Sequence, residues 1–313
     1  MSKIEKALNR AREERHNRPG AEPGPVEDRE PIRGTALIPE SRGELVRLED
    51  ISRMNQNEGP LLGAEDLSRH GIIHPELVED SAVQAFRDLR TKIILQGQGE
   101  NGVILVSAVS QGSGSSFVAQ NLAAAFAFDA GNTALVVDCN LRNPSVHRLL
   151  DDPSTPGLTD YLENPDLDLS TIIRPVGISR FRVITAGRKR DIPAEYFTSV
   201  KMRHLIDTVR WRYRERYIIL DGPSMSDIAD IRVLSELSDY VILVGRYGRV
   251  TGAQVENCVK EIGGKKLLGV VFNDEPHIPK IDWRDLWVRR WPKIDWRDLW
   301  LRHWRMRPPG TGG

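Results

Sequence analysis

Short runs of apolar residues alternate with helical segments along the middle of the chain. The runs rich in β-branched and aliphatic residues lie at 102–108, 133–138, 180–187, 216–223, 239–248 and 266–273. Their apolar residues are continuous and do not alternate with polar ones, which indicates strands buried on both faces. Segments with helical spacing of apolar residues lie at 76–96, 115–130, 197–214, 227–238 and 252–263. The alternation predicts an α/β fold in which helices sandwich a mostly parallel sheet.

The N-terminal part of the chain has a different pattern. Residues 3–16 carry apolar side chains on one helical face and Lys and Arg on the other, which predicts a short helix within residues 1–18. Residues 19–75 are acidic and rich in Pro and Gly, a composition typical of a disordered linker. We expect order to begin near Pro75 and a folded domain to cover residues 76–278.

The charge of the chain is balanced overall but unevenly distributed. Lys+Arg and Asp+Glu both number 44, so the formal net charge is zero. Residues 1–80 carry a net charge of −5, residues 81–278 carry none, and residues 279–313 carry +5. Because the balanced middle offers no basic track, nucleic acid is not an expected partner.

Composition also restricts the compartment. The two cysteines, Cys139 and Cys258, are too few for a disulfide scaffold and suit a reducing compartment. No apolar run approaches the ~18–20 residues that a membrane span needs, and the start MSKIEKALNRAREERHNR has no signal-peptide core. We therefore expect a cytoplasmic protein whose contacts with a membrane are peripheral or made through a partner.

A loop of small residues follows the first predicted strand and leads into a helix, in ILVSAVSQGSGSSFVAQNLAAAFA. Strand, small-residue loop and helix form an arrangement in which backbone N–H groups and the helix N-terminus point at a phosphate. The phosphate-loop pattern G-x-x-x-x-G-K-S/T is only partly matched. Gly112, Gly114 and Ser116 agree with the loop, whereas Val109 replaces the first Gly and Ser115 replaces the Lys.

Polar residues follow three other predicted strands. Asp138 ends the run ALVVD, Asp221 ends YIILD, and the last run ends in GVVFND at residues 269–274. Parallel strands of an open sheet bring such ends to one edge. Asp138 and Asp221 are therefore expected beside the loop, where Mg²⁺ and an attacking group require carboxylates.

These segments resemble a known family. The sequence is similar to the cytoplasmic domain of the bacterial tyrosine kinases (BY-kinases) of capsule and exopolysaccharide synthesis, relatives of the MinD and ParA ATPases within the P-loop class. The resemblance covers roughly residues 76–276. It rests on the loop and on QAFRDLRT, VVDCNLRNPSVH, PGLTDYL, PAEYFTSVKMRHLI, YIILDGP, VGRYGRVT and GVVFND.

The resemblance implies ATP or ADP with Mg²⁺ as cofactor, and a P-loop fold with three layers. The implied nucleotide-binding residues are Gly112, Ser113, Gly114, Ser115, Ser116, Phe117, Arg142 and Arg246. The implied catalytic positions are Asp138, Asn140 and Asp221, and Ser116, Asp138 and Asp221 would hold the metal. The implied location is the inner face of the plasma membrane, beside a membrane-embedded polysaccharide chain-length (copolymerase) protein.

The sequence departs from the family pattern at residues that bind phosphate or take part in catalysis. Family members carry Lys in the loop where this chain has Ser115, and a second Asp in D-x-D-x-R where this chain has Asn140. MinD-type relatives carry a further Lys where this chain has Ser110. A charge-assisted hydrogen bond contributes roughly 1.5–3 kcal/mol, so loss of the Lys weakens phosphate binding about 10- to 100-fold.

Two features that the family uses outside its nucleotide site are also altered. The interface helix of the family carries E-x-x-R-x-x-R, and here the three positions are Gln84, Arg87 and Arg90. The C-terminal tyrosine cluster is absent, since all six tyrosines precede the tail. The resemblance implies a homo-oligomer, or a hetero-oligomer with an active kinase. The negative charge that the family's Glu brings to this interface is missing, because position 84 is Gln.

The sequence therefore supports one hypothesis and leaves two alternatives open. The first is a catalytically impaired BY-kinase homologue that serves as a regulatory or scaffolding subunit of exopolysaccharide synthesis and export. The second is an active ATP-dependent tyrosine autokinase that uses a substitute cation, such as Arg142 or Arg246. The third is a MinD-like positioning ATPase, against which the loss of both lysines also counts.

The tail at 279–313 contains a tandem duplication, PKIDWRDLWVRRW followed by PKIDWRDLWLRHW. It holds six of the seven tryptophans, at Trp283, Trp287, Trp291, Trp296, Trp300 and Trp304. Spacing of four places each trio on one face of a short helix. Trp together with Arg suits an anionic membrane surface or a protein interface, although a duplication that left a partly packed tail is an open alternative.

Overall fold

A computed structural model describes residues 62–77, 80–97, 101–150, 155–212, 215–264 and 266–275. Within them the strands are β1 (Val103–Ala108), β2 (Thr133–Asp138), β3 (Arg174–Pro175), β4 (Phe181–Ile184), β5 (Arg216–Ser224), β6 (Tyr240–Arg246) and β7 (Leu267–Asn273). The helices are α1 (Ala64–Arg69), α2 (Ser81–Gln96), α3 (Ser115–Ala127), α4 (Leu158–Glu163), α5 (Leu169–Ile172), α6 (Pro193–Phe197), α7 (Val200–Arg212), α8 (Ile228–Leu237) and α9 (Gly252–Ile262), with a 3-10 helix at Val146–Leu149.

These strands form one sheet in the order β3-β4-β2-β5-β1-β6-β7. Every neighbouring pair is parallel except β3 with β4, which is antiparallel. The first strand, β1, lies between β5 and β6, and the chain leaves it toward β2 before it returns to β5 and β6. A change of direction of this kind opens a crevice at the carboxyl ends of the strands.

Both faces of the sheet are covered, as the continuous apolar runs predict. In β1, Ile104 and Val106 point into a core layer shared with α2 and α3, whereas Val103 and Leu105 point into the layer beneath α7 and α8. All four side chains are fully buried. The prediction of a mostly parallel sheet sandwiched by helices is confirmed, and each predicted strand overlaps an observed one.

The expected start of order near Pro75 is wrong, because residues 62–75 belong to the domain. Leu67 of α1 and the following Ile72 and Ile73 are buried in the same core layer as α3. The acidic, Pro- and Gly-rich composition of residues 19–75 predicts a linker, but composition does not reveal a few well-placed apolar side chains.

A buried amide holds this N-terminal segment in place. Asn121 of α3 is fully buried, and its Oδ1 accepts a hydrogen bond from the Ile73 N–H at 2.7 Å. Its Nδ2 donates to the carbonyl oxygens of Gly71 at 3.0 Å and Phe117 at 2.9 Å. One side chain therefore ties residues 71–73 to the first turn of α3.

Some predicted elements differ in detail or fall outside the described residues. The helix predicted at 197–214 is preceded by a separate short helix, α6, and α4, α5 and β3 were not predicted. The predicted helix within residues 1–18, the linker up to residue 61 and the tryptophan tail lie outside the described residues. Among the described helices, none is long and apolar enough to cross a membrane.

We predict that Asn121→Ala lowers the free energy of unfolding by about 2–4 kcal/mol, because it leaves buried backbone groups without partners at roughly 1–3 kcal/mol each. Urea unfolding measures the loss, and amide exchange should show residues 71–73 opening first. Gln96→Ala, an exposed position at the end of α2, is the control. Equal stability of the two variants would contradict this anchoring role.

Candidate functional site

The loop between β1 and α3 needs two glycines in left-handed backbone conformations. Gly112 has φ +77° and Gly114 has φ +85°. A Cβ on Gly114 would lie 2.1 Å from Nδ2 of Asn273, so a side chain there would displace the Asn273 amide in addition to straining the backbone. Asn273, at the end of β7, donates from Nδ2 to the Ser113 carbonyl oxygen at 3.1 Å. The loop is thus fixed by the last strand.

The loop also braces itself. The Ser113 hydroxyl donates to the Ser110 carbonyl oxygen at 2.7 Å, and the Ser113 N–H bonds to the same oxygen at 3.2 Å. Ser115 and Ser116 then open α3, whose first N–H groups have no acceptor inside the helix. Those N–H groups and the helix dipole suit an anion such as a phosphate.

Asp138 lies at the end of β2 and is fully buried. Its carboxylate accepts hydrogen bonds from the N–H groups of Asn140 at 3.1 Å, Ser145 at 2.9 Å and Val146 at 3.0 Å. Burial raises the pKa of Asp138 to about 6, although the three donors act to lower it. This carboxylate therefore organises the turn after β2, and it does not itself line the cleft beside the loop.

Asp221 lies on β5 in register with Asp138 and is also fully buried. Neither of its carboxylate oxygens has a hydrogen-bond partner among the described residues. Burial, and secondly the charge of Asp138, raise its pKa well above the usual range. The Ser116 side chain acts to lower this pKa, although its geometry falls short of a hydrogen bond.

These groups fit a magnesium ion. Mg²⁺ prefers oxygen ligands and usually binds through one or two carboxylates together with substrate phosphates. Asp221 offers two buried oxygens without partners, and Ser116 and Asp138 lie beside it. A cation here would offset the repulsion between two neighbouring buried carboxylates.

A cleft of about 550 Å³ opens beside the loop. Its lining residues include Gly112, Ser115 and Ser116 from the loop, and Asn140 and Arg142 from the segment after β2. The Asn140 Oδ1 accepts the Asn143 N–H at 3.3 Å, so this amide supports a turn. Phe117 does not line this cleft and is more than one third exposed.

Arg142 lines the cleft but is held by acidic residues. Its guanidinium pairs with the buried Asp230 of α8 and lies 3.4 Å from Asp227. Its Nε also donates to the Asp191 carbonyl oxygen at 3.2 Å. The arginine therefore joins the segment after β2 to α8, with most of its charge already balanced.

Arg246 lies on the other side of the loop. It ends β6, and its Nε donates to Asp274 at 2.7 Å. Both residues line a second depression of about 390 Å³ together with Gly112, Phe117 and Asn273. The structure thus places Arg142 and Arg246 in two adjacent depressions that share Gly112.

The positions corresponding to the family's interface lie on α2. Gln84 is exposed, and Arg87 and Arg90 are half-buried. Arg90 donates to the Ala125 carbonyl oxygen at 2.8 Å, near the end of α3. Arg90 therefore stabilises packing within the domain, which leaves Gln84 and Arg87 as the more accessible positions.

Sequence reasoning missed three residues that shape the site. Asn273 closes the loop, Asp230 neutralises Arg142, and Asn121 fixes the first turn of α3. Asn273 was visible as part of GVVFND, but its contact with the loop spans 160 residues of sequence. No local sequence pattern identifies Asp230 or Asn121 as residues that shape the site.

Sequence comparison finds bacterial tyrosine kinases. The tyrosine-protein kinase Etk of Escherichia coli is 30% identical over 197 residues, which are 62% of this chain and 27% of that protein. The putative tyrosine-protein kinase EpsB of Ralstonia solanacearum is 29% identical over 199 residues, 62% of this chain and 26% of that protein. The match thus spans about a quarter of these relatives. No protein-family model matches the chain.

Solved structures give the same result. The chimerical protein CapA2B2 superposes with a TM-score of 0.60 and 28% identity, over 73% of this chain and 99% of that chain. The kinase domain of the Escherichia coli tyrosine kinase Etk gives 0.57 and 28% identity, over 64% of this chain and 80% of that chain. The described domain is therefore similar in sequence and in fold to the kinase domains of bacterial tyrosine kinases, as its motifs predicted.

Proposed function

We propose that this protein is a BY-kinase homologue that binds a nucleotide weakly, has lost phosphoryl transfer, and serves as a regulatory or scaffolding subunit of exopolysaccharide synthesis. The observation that carries this proposal is the composition of the cleft. Where family members place a lysine, the cleft has the hydroxyl of Ser115, and its lining arginine, Arg142, is paired with Asp230.

Charge balance explains why binding would be weak. ATP brings several negative charges to a place where Asp138 and Asp221 already repel each other. The backbone N–H groups at the start of α3 supply partial positive charge, and Mg²⁺ held by Ser116, Asp138 and Asp221 would supply the rest. Bound magnesium neutralises phosphate charge, but it does not replace a lysine that stabilises the charge developing on the transferred phosphoryl group.

The second substitution removes a base. An amide at Asn140 is neutral and takes no proton near pH 7, and here its oxygen accepts a backbone N–H of the following turn. The carboxylates that remain are Asp138, which is engaged by three N–H donors, and Asp221, whose protonated form is favoured by burial. Neither is a ready substitute for a solvent-facing base.

An active tyrosine autokinase is the second candidate function. Ser116, Asp138 and Asp221 share one edge of the sheet, as a kinase of this class requires. Under this alternative Arg142 would exchange Asp230 for the nucleotide. Labelled ATP with Mg²⁺ separates the two candidates, since phosphotyrosine that appears in the wild type and disappears in Asp221→Asn would support the kinase.

The proposed partners follow the family resemblance. They are an inner-membrane chain-length or copolymerase protein, further copies of this chain or an active kinase, and an anionic membrane surface reached through the tail at 279–313. The proposed location is the cytoplasmic face of the plasma membrane. The exposed Gln84 and the half-buried Arg87 of α2 are the positions at which another subunit would bind.

Ser115→Lys should strengthen binding of Mg-ATP about 10- to 100-fold, because it restores a charge-assisted hydrogen bond worth roughly 1.5–3 kcal/mol. Isothermal titration calorimetry measures the change. Gln96→Lys adds the same charge at the end of α2, away from the cleft, and should leave affinity unchanged. Tight and equal binding by the wild type and Ser115→Lys would refute the degenerate site.

Asp221→Asn should raise the free energy of unfolding at pH 8 by about 1–3 kcal/mol, because it removes a carboxyl that must there either carry a buried charge without a partner or retain a proton that the unfolded chain releases. The sign follows from the raised native pKa. The native carboxyls retain protons that the unfolded chain releases near pH 4, so the wild type loses stability as pH rises from there through the raised native pKa of each carboxyl, which is about 6 for Asp138 and raised well above the usual range for Asp221. The variant should show a smaller loss.

Urea unfolding from pH 4 to pH 8 tests this prediction, with the exposed Asp207→Asn on α7 as control. Millimolar Mg²⁺ should stabilise the wild type at pH 8 and leave Asp221→Asn unchanged, because only a bound cation offsets that charge. A variant that is less stable than the wild type at pH 8 would contradict the assigned cost of the buried charge.

A further inference from the structure

The outer side of α7 carries two of the most exposed apolar side chains of the described domain. Val200 is 84% exposed and Trp211 is 74% exposed. They are eleven residues apart, about three helical turns and ~16 Å, so they lie on one line along the helix. The buried side chains of the helix lie on the opposite side, at Met202, Leu205, Ile206 and Val209. Packing within the domain therefore does not account for Trp211.

Basic residues flank this line on both sides. Helical spacing places Arg203 and Arg210 along one side and Lys201 and Arg212 along the other. The acidic residue of α7 is Asp207, on the line itself. We refer to Val200, His204, Asp207 and Trp211, with the four flanking basic residues, as the α7 outer face.

Three of the four positive charges are partly engaged by the domain, since Arg212 acts on Asp168 and contributes to lowering the pKa of that carboxyl. Arg210 lies 3.2 Å from Asp239 at about half exposure, and the Lys201 ammonium lies 4.3 Å from the ring centroid of Tyr161. Arg203 and Arg212 are exposed. The face therefore keeps a clear positive excess despite the overall neutrality of the chain.

The shape and charge of the α7 outer face indicate which kind of partner it binds. A second copy would bring a surface of the same sign against this one in a two-fold contact, which is repulsive. The two exposed apolar side chains lie ~16 Å apart, at the two ends of α7, and neither lines one of the depressions described for the domain. The face therefore offers no continuous apolar groove to a partner helix. A flat surface that is negative and accepts a Trp ring at its boundary matches both features.

We propose that the α7 outer face docks on anionic phospholipid headgroups. Trp211 enters the boundary between headgroups and acyl chains, and Arg203, Arg210 and Arg212 contact lipid phosphates. This surface lies within residues 200–212 of the chain, and it does not involve the loop or the buried carboxylates. It would present the domain to the membrane side-on, along the length of α7.

Vesicle co-sedimentation of the full chain tests the proposal, with phosphatidylcholine vesicles that contain or lack phosphatidylglycerol. Trp211→Ala, and separately Arg203→Glu with Arg212→Glu, should weaken binding to the anionic vesicles at least tenfold. Leu95→Ala removes an apolar side chain of the same 74% exposure on α2, and Lys92→Glu with Lys260→Glu reverses two exposed charges elsewhere. Both controls should bind within twofold of the wild type, since every variant retains the tail.

A second readout isolates the ring. Brominated lipids quench tryptophan that enters the bilayer, and the difference between the wild type and Trp211→Phe reports Trp211 alone among the seven tryptophans. We expect Trp211 to be quenched on anionic vesicles. Unchanged binding by the α7 variants, or no quenching of Trp211, would overturn the proposal. Loss of self-association in Trp211→Ala, measured by light scattering, would assign the face to a second copy and would overturn it as well.

Discussion

Two carboxylates buried on neighbouring strands are the constraint on which the rest of the site depends. Asp138 and Asp221 are held in register by the pairing of β2 with β5, and neither is exposed to solvent. A buried charge without compensation is costly, and Asp221 has no hydrogen-bond partner for either oxygen within the described chain. The packing of the surrounding sheet offsets this cost, and a bound cation would reduce it further.

The loop beside these carboxylates has a backbone geometry that suits an anion, but the two arginines that line the adjacent depressions, Arg142 and Arg246, are paired with Asp230 and Asp274. Gly112 and Gly114 take left-handed conformations, Asn273 closes the loop from β7, and α3 offers its first N–H groups. The backbone geometry that suits a phosphate is therefore present, whereas the positive side chains nearby are already paired with carboxylates. Arg142 does not supply the missing positive charge, because it is paired with Asp230 of α8. The same pairing gives the degenerate site a structural role in joining two segments of the domain.

Much of the fold was predictable because parallel strands buried on both faces produce continuous apolar runs. Once the strands are placed, the positions of Asp138 and Asp221 follow from the rule that parallel strands end at one edge. Segment 62–75 was misassigned because its attachment depends on Asn121, about fifty residues away. The pairing of Arg142 with Asp230 spans 88 residues and has no local pattern. Antiparallel β3 has two residues, too few for any periodicity.

The central claim is that two side chains, Ser115 and Asn140, separate this domain from an active phosphotransferase. ATP turnover with Mg²⁺ by the wild type and by the double variant Ser115→Lys with Asn140→Asp tests it most directly. We expect the double variant to hydrolyse ATP at least about 100-fold faster than the wild type, because it regains a cation and a base. A wild type that turns over ATP as fast as the double variant would contradict it.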